Sequence, residues 1–550
     1  MELRHNRSPE ENPVNRLLVV ACLLLTFALV SCVHAAGRTC EQLAQLALPN
    51  TQISSAKLVA AGAFAPPEVA EPWMRADASF YKQLPAFCRV LALAKPTADS
   101  DIKIEVWLPA TGWNGKFRGQ GNGGFAGSID YRALGWAIAQ GYATAATDTG
   151  HAADSSDAVW ALNHPEKIID FAHRAIHEMT IFGKATTNAF YGEAPKKSYF
   201  ANCSNGGRQA LMEAQRYPDD YDGILAGAPA NYFTHLLASA LWDAQATTND
   251  QASYIPSSKI TAIAQAVVAA CDANDGVKDG IVNDPRQCHF DPATMLCKGG
   301  NSDSCLTQPQ VTALKKLYQG PYGSTGKQIF PGLQPGGELG QSGWLLWITG
   351  PAPEKALVFA FDHGYFADMV YSQADWDYRH ANLDDAVKAS DEKFANVLNA
   401  TQTDMQAYAD RGGKLIIYHG WSDAAISPLN SINYYQSVIE KMGQAQTDSF
   451  VRLYMVPGMQ HCGDGPGPNE FGAYGESQVN DPQHNMYLAL EQWVEKGIAP
   501  PTFTASKMEG EGPAAKVTMT RPLCPYPQQA NYKGTGDTND AKNFSCAPEK

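Results

Sequence analysis

Three widely separated residues have the types and order needed for acyl transfer: Ser204, then Asp423, then His461. Ser204 lies in A-N-C-S-N-G-G-R (201–208), where a strand runs into a turn and glycines lead into a helix. A serine hydroxyl is a weak nucleophile until a base takes its proton. A tight strand–turn–helix elbow lifts it clear of the sheet and demands small neighbours. The general pattern is G-x-S-x-G; Asn202 stands in place of the first glycine and Gly206 keeps the second. Asparagine tolerates unusual backbone angles better than most residues. The amide that follows the serine, on Asn205, is placed to help stabilise an oxyanion. Gly121-Asn122-Gly123-Gly124 is where a second donor would come from, since glycine lets backbone approach substrate closely.

The orienting acid and the base should follow the ends of later strands, in the chain order serine, acid, histidine. K-L-I-I-Y (414–418) alternates as a strand and runs into His419-Gly420-Trp421-Ser422-Asp423. Val451 to Val456 reads as the next strand, and Met459-Gln460-His461-Cys462 follows on a loop. His461 is then the general base and Asp423 the group that holds its tautomer. Cys203 precedes the serine and Cys462 follows the histidine. If the two catalytic side chains meet, these cysteines can come within disulfide distance and staple the loops together.

The elements around these residues alternate. Ile102 to Leu108 and Tyr142 to Thr147 read as strands, Lys167 to Ala189 as a long amphipathic helix, Lys197 to Asn202 as a strand and Gly207 to Arg216 as a helix. This βαβα rhythm predicts an α/β fold, a mostly parallel sheet with helices on both faces. The rhythm breaks from about Asn231 to Asp404, where acidic loops, cysteines, Gly, Pro and aromatic residues gather. It resumes at Lys414 and ends with a helix from Met486 to Lys496. An insertion between two strands of one sheet explains this better than two domains in series, which would leave the second short of strands. The expected division is a leader at 1–35, the first part of the sheet domain at 36–230, the insertion at 231–404 and the second part at 405–550.

Arg4, Arg7 and Arg16 precede an apolar run from Leu17 to Val30 and then small residues, the order of a secretory signal peptide. Leu29-Val30-Ser31-Cys32 also resembles a lipoprotein cleavage box, which would leave a lipid anchor on Cys32. The apolar run is too short to span a bilayer comfortably, and no later segment is apolar enough. The chain is expected to be secreted or periplasmic. A net charge of -14 argues against a nucleic-acid partner. Ten cysteines lie beyond the leader, and an even number in an exported chain implies disulfides. Short-range pairs 271–288, 297–305 and 524–546 are natural, but sequence alone leaves the connectivity open.

A second constellation runs from Asp272 to Ile281, D-A-N-D-G-V-K-D-G-I. Three carboxylates spaced by three and four residues, with glycines for tight turns, can wrap a hard cation. The loop lacks the closing glutamate of an EF-hand, and a solvated acidic turn is the simpler alternative.

Taken together, C-S-x-G-G-R, a distant H-C and the D-G-V-x-D-G-I segment resemble the tannase and feruloyl esterase family, with the likeness running from Cys40 to Cys546. The resemblance implies an α/β-hydrolase whose insertion is a lid over the active site. It implies disulfides Cys40–Cys88, Cys203–Cys462, Cys271–Cys288, Cys297–Cys305 and Cys524–Cys546. It implies structural Ca2+ on Asp272, Asp275 and Asp279 and the carbonyls of Val277 and Ile281. Gly123 or Gly124, with Asn205, would hold the oxyanion, and His419 and Ile426 would line the substrate pocket. The expected reaction is hydrolysis of a small aromatic ester, hydroxycinnamoyl or galloyl, derived from plant cell wall or tannin. A terephthalate monoester ranks lower, because no arginine is evidently placed for its free carboxylate. A non-catalytic phenolic-binding protein would have no need of the ordered triad, and calcium is a poor metal for activating water. Trp344, Trp347, Phe361, Tyr365 and Phe366 in the insertion are read as core before substrate contacts.

Overall fold

The computed structural model describes residues 1–2, 37–67, 76–473, 479–510 and 515–548. The expected leader and Cys32 lie outside the described residues. One nine-stranded sheet organises the chain, in the order β1-β2-β3-β5-β4-β6-β7-β8-β9. The strands are β1 Thr51–Val59, β2 Phe87–Ala94, β3 Ile102–Pro109, β4 Lys116–Gly119, β5 Ala143–Thr147, β6 Lys197–Cys203, β7 Gly223–Gly227, β8 Lys414–Gly420 and β9 Val451–Val456. From β5 onward every pairing is parallel. The first strands pair antiparallel, through β1–β2, β2–β3 and β3–β5. Of these the sequence reading found β3 and β5 and missed β1 and β2; β1 has much of its surface exposed. β5 (A-T-A-A-T) and β7 (G-I-L-A-G) are buried at every position, as strands covered on both faces must be.

Helices cover both faces. In chain order they are α1 Tyr131–Ala139, α2 Ala175–Tyr191, α3 Asn205–Arg216, α4 Phe233–Thr248, α5 Ser257–Cys271, α6 Leu383–Leu398, α7 Leu429–Met442 and α8 Met486–Lys496. One core joins α2, α3 and α7 to the sheet through Met179, Phe182, Leu211, Ile432 and Val438. The opposite face is closed by Met486, Leu490 and Trp493 of α8 with Ala137 of α1. The expected 167–189 helix is present but not uniform: a short helical turn at Pro165–Ile169 passes through a wider π turn at Asp170–Arg174 into α2.

Between β7 and β8, neighbours in the sheet, the chain leaves the sheet. Part of the inserted segment packs Phe233, Leu237, Tyr365 and Phe366 against Phe125 and Phe171 of the sheet domain's own loops. A second cluster gathers α5 around Trp344 and Leu314. Among the described residues five disulfides close the fold, and all match the pairs the resemblance implied. No helix among the described residues is long and apolar enough to cross a membrane.

Candidate functional site

Ser204 sits between the end of β6 and the first turn of α3, with φ 65° and ψ −127°. L-residues adopt such angles only where the surroundings enforce them. Here the Ser204 amide donates to the Gly227 carbonyl at 3.0 Å, and its own carbonyl accepts from Ala230 at 3.1 Å. Small neighbours are required, as the elbow pattern predicts. A Cβ on Gly207 would lie 2.3 Å from the Gly227 carbonyl oxygen, and one on Gly206 would lie 2.2 Å from Asn202 Oδ1. Asn202 fits in place of the usual glycine because its side chain folds over Gly206 and accepts from the Cys203 amide at 2.8 Å.

His461 Nε2 lies 2.9 Å from Ser204 Oγ, and His461 Nδ1 lies 2.8 Å from Asp423 Oδ2. The chain order read from sequence thus becomes a continuous line of hydrogen bonds. Asp423 Oδ1 accepts the amides of Ala425 and Ile426, each at 2.8 Å. Burial pushes the Asp423 carboxyl up, but His461 and His419 outweigh it and hold it well below the ordinary carboxylate range. An ionised Asp423 accepts from His461 Nδ1–H, which leaves the Nε2 lone pair facing the serine. The Cys203–Cys462 bridge spans a Cα separation of 5.9 Å and ties the two loops as expected.

His419 is placed differently from the expectation that it lines the pocket. Its side chain is fully buried, and both ring nitrogens are occupied. Nε2 faces two acceptors, Asp423 Oδ2 at 3.2 Å and the Ile426 carbonyl at 3.1 Å. It must therefore carry the proton, and Nδ1 accepts from Ser431 Oγ at 2.8 Å. His419 stands behind the acid and braces it, because its side chain leaves β8 on the face covered by α7, which carries Ser431. The histidine type was legible in the sequence; its direction was not. Ile426 packs within the same apolar cluster as Phe125 and Phe233.

The glycine loop lies against the elbow. A Cβ on Gly121 would come 3.0 Å from Asn202 Cβ and 2.8 Å from Gln209 Oε1. Asn122 and Gln209 hold this contact: the Asn122 amide donates to Gln209 Oε1 at 2.9 Å, and Gln209 Nε2 donates to Asn122 Oδ1 at 3.2 Å. Sequence reasoning missed this pair, although Gln209 lies one helical turn beyond Asn205 in α3. The Asn122 amide is therefore engaged, whereas those of Gly123 and Gly124 donate to no protein acceptor among the described residues. Asn205 heads α3, where an amide has no intrahelical acceptor.

Aromatic rings border the histidine. Trp347 meets His461 edge-on at 5.0 Å, lies near-parallel to Phe361 at 6.1 Å, and Phe361 meets Phe125 at 5.0 Å. These rings run from the glycine loop to His461, and Trp347 and Phe361 are only half-buried. Trp344, Tyr365 and Phe366 are wholly buried core. The reading of all five as core thus holds for three of them.

In the acidic loop Asp272 Oδ1 accepts the amides of Asp279 and Gly280, and Asp275 Oδ1 accepts that of Val277. Arg521 pairs with Asp279 from the C-terminal region. Burial, then Asp279 and Asp272, push the Asp275 carboxyl up to about 6. The carbonyls of Val277 and Ile281 accept no protein hydrogen bond among the described residues. Crowded carboxylates beside free carbonyls fit a hard cation in kind, although the three carboxylates do not all converge within 4.8 Å of one another.

A strained serine elbow on a sheet flanked by helices, with a histidine and a buried acid in line, defines a hydrolase of the α/β-hydrolase fold. The sequence model of the family described as "Tannase and feruloyl esterase" matches residues 88–547. An uncharacterized esterase of Xanthomonas campestris pv. campestris is 41% identical, covering 97% of this chain and 95% of that protein. A probable feruloyl esterase B of Aspergillus clavatus is 36% identical, covering 84% of this chain and 86% of its own. The crystal structure of feruloyl esterase B from Aspergillus oryzae superposes with a TM-score of 0.83 at 31% identity, over 92% of this chain and 99% of that one. The chain belongs to the tannase and feruloyl esterase family and is a carboxylic ester hydrolase.

Proposed function

We propose that this protein hydrolyses esters of small aromatic acids, hydroxycinnamoyl or galloyl, with Ser204 as nucleophile, His461 as general base and Asp423 as the orienting acid. The observation that carries the reading is the 2.9 Å contact of His461 Nε2 with Ser204 Oγ, bordered by Trp347. Ser204 Oγ attacks the ester carbonyl as its proton passes to His461 Nε2. The oxyanion is held by the amides of Asn205 and of Gly123 or Gly124. His461 then protonates the leaving alcohol, and water releases the acid from the acyl-enzyme by the same base. The half-buried face of Trp347 and Phe361 suits a planar aromatic acyl group, and the inserted segment serves as the lid. Ser204→Ala should abolish turnover of methyl ferulate and methyl gallate and block labelling by a fluorophosphonate probe; full activity in that variant would sink the mechanism. A panel adding chlorogenate and a terephthalate monoester ranks the acyl groups.

The acidic loop is read as a structural calcium site, with Asp272, Asp275, Asp279 and the carbonyls of Val277 and Ile281 as ligands. Bound calcium would neutralise the crowded carboxylates there. Chelation should lower the melting temperature, and restored Ca2+ should recover it; an unchanged melting temperature would count against the site. The disulfides and the N-terminal sequence pattern support export to an oxidising compartment.

A further inference from the structure

At the opposite end of α3 from Ser204, three side chains from three elements converge in a place the ester chemistry does not use. His177 comes from the first turn of α2, Glu213 from the last turn of α3, and Asp220 from the turn that enters β7. One ligand atom from each lies within 4.8 Å of the other two. His177 Nδ1 is 2.6 Å from Asp220 Oδ2. Tyr217 stacks flat on the imidazole at 3.8 Å and fixes its plane.

The cluster contains an unmet group. Glu213 is 1% exposed, and its Oε2 has no hydrogen-bond partner. A buried carboxyl oxygen without a partner is costly. Lys184 makes no hydrogen bond to it. Lys184 Nζ donates instead to the main-chain carbonyls of Asp219 and Asp220. His177 keeps 26% of its side chain exposed, so the cluster is open to solvent on the imidazole side.

We propose that His177, Glu213 and Asp220 form a binding site for one divalent transition metal of the zinc type. One imidazole nitrogen with two carboxylate oxygens suits zinc, which accepts mixed nitrogen and oxygen ligands. Calcium and magnesium prefer oxygen-only shells. Water on the open side completes the shell. Glu213 lies nine residues beyond Ser204, about 14 Å along the α3 axis, so the ion takes no part in ester cleavage. It cross-links α2, α3 and the entry to β7, and anchors the far end of the helix that begins at Ser204.

The test uses the full chain, stripped of transition metals and kept in excess Ca2+ so that the acidic loop does not compete. Zn2+ is titrated by calorimetry, and Co2+ is used as a spectroscopic stand-in. The expected result is one tightly bound equivalent, a raised melting temperature and a Co2+ spectrum of low coordination number. Glu213→Gln keeps the shape of the buried side chain, and His177→Gln lies where a folding defect is least expected. Each should weaken binding by more than the roughly 10–100-fold that loss of an outer partner brings. Absence of a bound equivalent in the wild-type protein, or equal binding by His177→Gln, would overturn the proposal and leave a His177–Asp220 hydrogen bond beside a buried Glu213.

Discussion

Replacing Cys203 and Cys462 together by serine separates two roles that the bridge holds at once. The bridge closes a loop of 259 residues, whereas Cys297–Cys305 closes one of 8. Chain entropy alone assigns about 5.5 kcal/mol to the first and about 2.5 kcal/mol to the second. With unfolding entropy scaling with length, a chain of this size should lose roughly 5 °C and roughly 2 °C of melting temperature, respectively. The larger difference should appear in catalysis. Ser204 Oγ and His461 Nε2 are 2.9 Å apart, and Cys462 itself holds a left-handed φ of 62° directly after the base. Freed of the bridge, the histidine loop can drift, and a displacement of about 1 Å at such a site costs on the order of 100-fold in rate. The assay is methyl ferulate hydrolysis and thermal melting on both double-serine proteins. The 203/462 variant should lose kcat/KM by 10–100-fold (on the same order-of-magnitude scale), while the 297/305 variant keeps it. Equal melting shifts in the two proteins, or wild-type kcat/KM in the 203/462 variant, would refute the reasoning.

Asp423→Asn should lower kcat by about 10⁴-fold with little change in KM, because an amide leaves His461 in the wrong tautomer; steady-state kinetics on methyl ferulate checks this. Trp347→Ala should raise KM for aromatic acyl esters several-fold while changing acetyl ester hydrolysis far less, since the acetyl group has no ring to stack; parallel kinetics on methyl ferulate and an acetyl ester would detect it. Asp148 gives a pH test of stability. Burial pushes its carboxyl up to about 6, against hydrogen bonds from the Lys103 and Gly150 amides and the Lys103 charge. The folded pKa lies above the unfolded one, so the folded state binds more protons between the two. Stability should therefore fall as pH rises from about 4 through 6, by on the order of 2–3 kcal/mol, and then level. Asp148→Asn should flatten that slope in denaturant melts; an unchanged slope would exclude Asp148 as its source.

Much of the site was legible because its signals are local. Ser204 announces itself through the small residues that its strained turn requires, and Asp423 and His461 each follow an alternating strand. The buried parallel strands β6, β8 and β9 were readable for the same reason, since pattern and turn chemistry are encoded within a few residues. β1 and β2 escaped notice because they form an antiparallel extension whose partners are set by pairing across the edge; β2 alternates in burial, but seven of its eight residues are apolar, so the sequence does not show it. Asn122 and Gln209 carry no motif of their own; they acquire a role only because the glycine loop and α3 are packed together.

The sequence by itself determined the chemical inventory: a serine, an acid and a histidine in one order, paired cysteines, and an acidic loop. Tertiary structure decided which of them meet. His461 reaches a serine 257 residues away, and no local propensity encodes that contact. The resemblance implied that His419 lines the substrate pocket, yet the packing of β8 against α7 turns it toward Asp423 and Ser431. Trp344 and Trp347 differ by three residues and by nothing in type. One is fully buried and the other faces His461. A helical turn fixes their spacing, but what lies opposite each face is set by the rest of the chain.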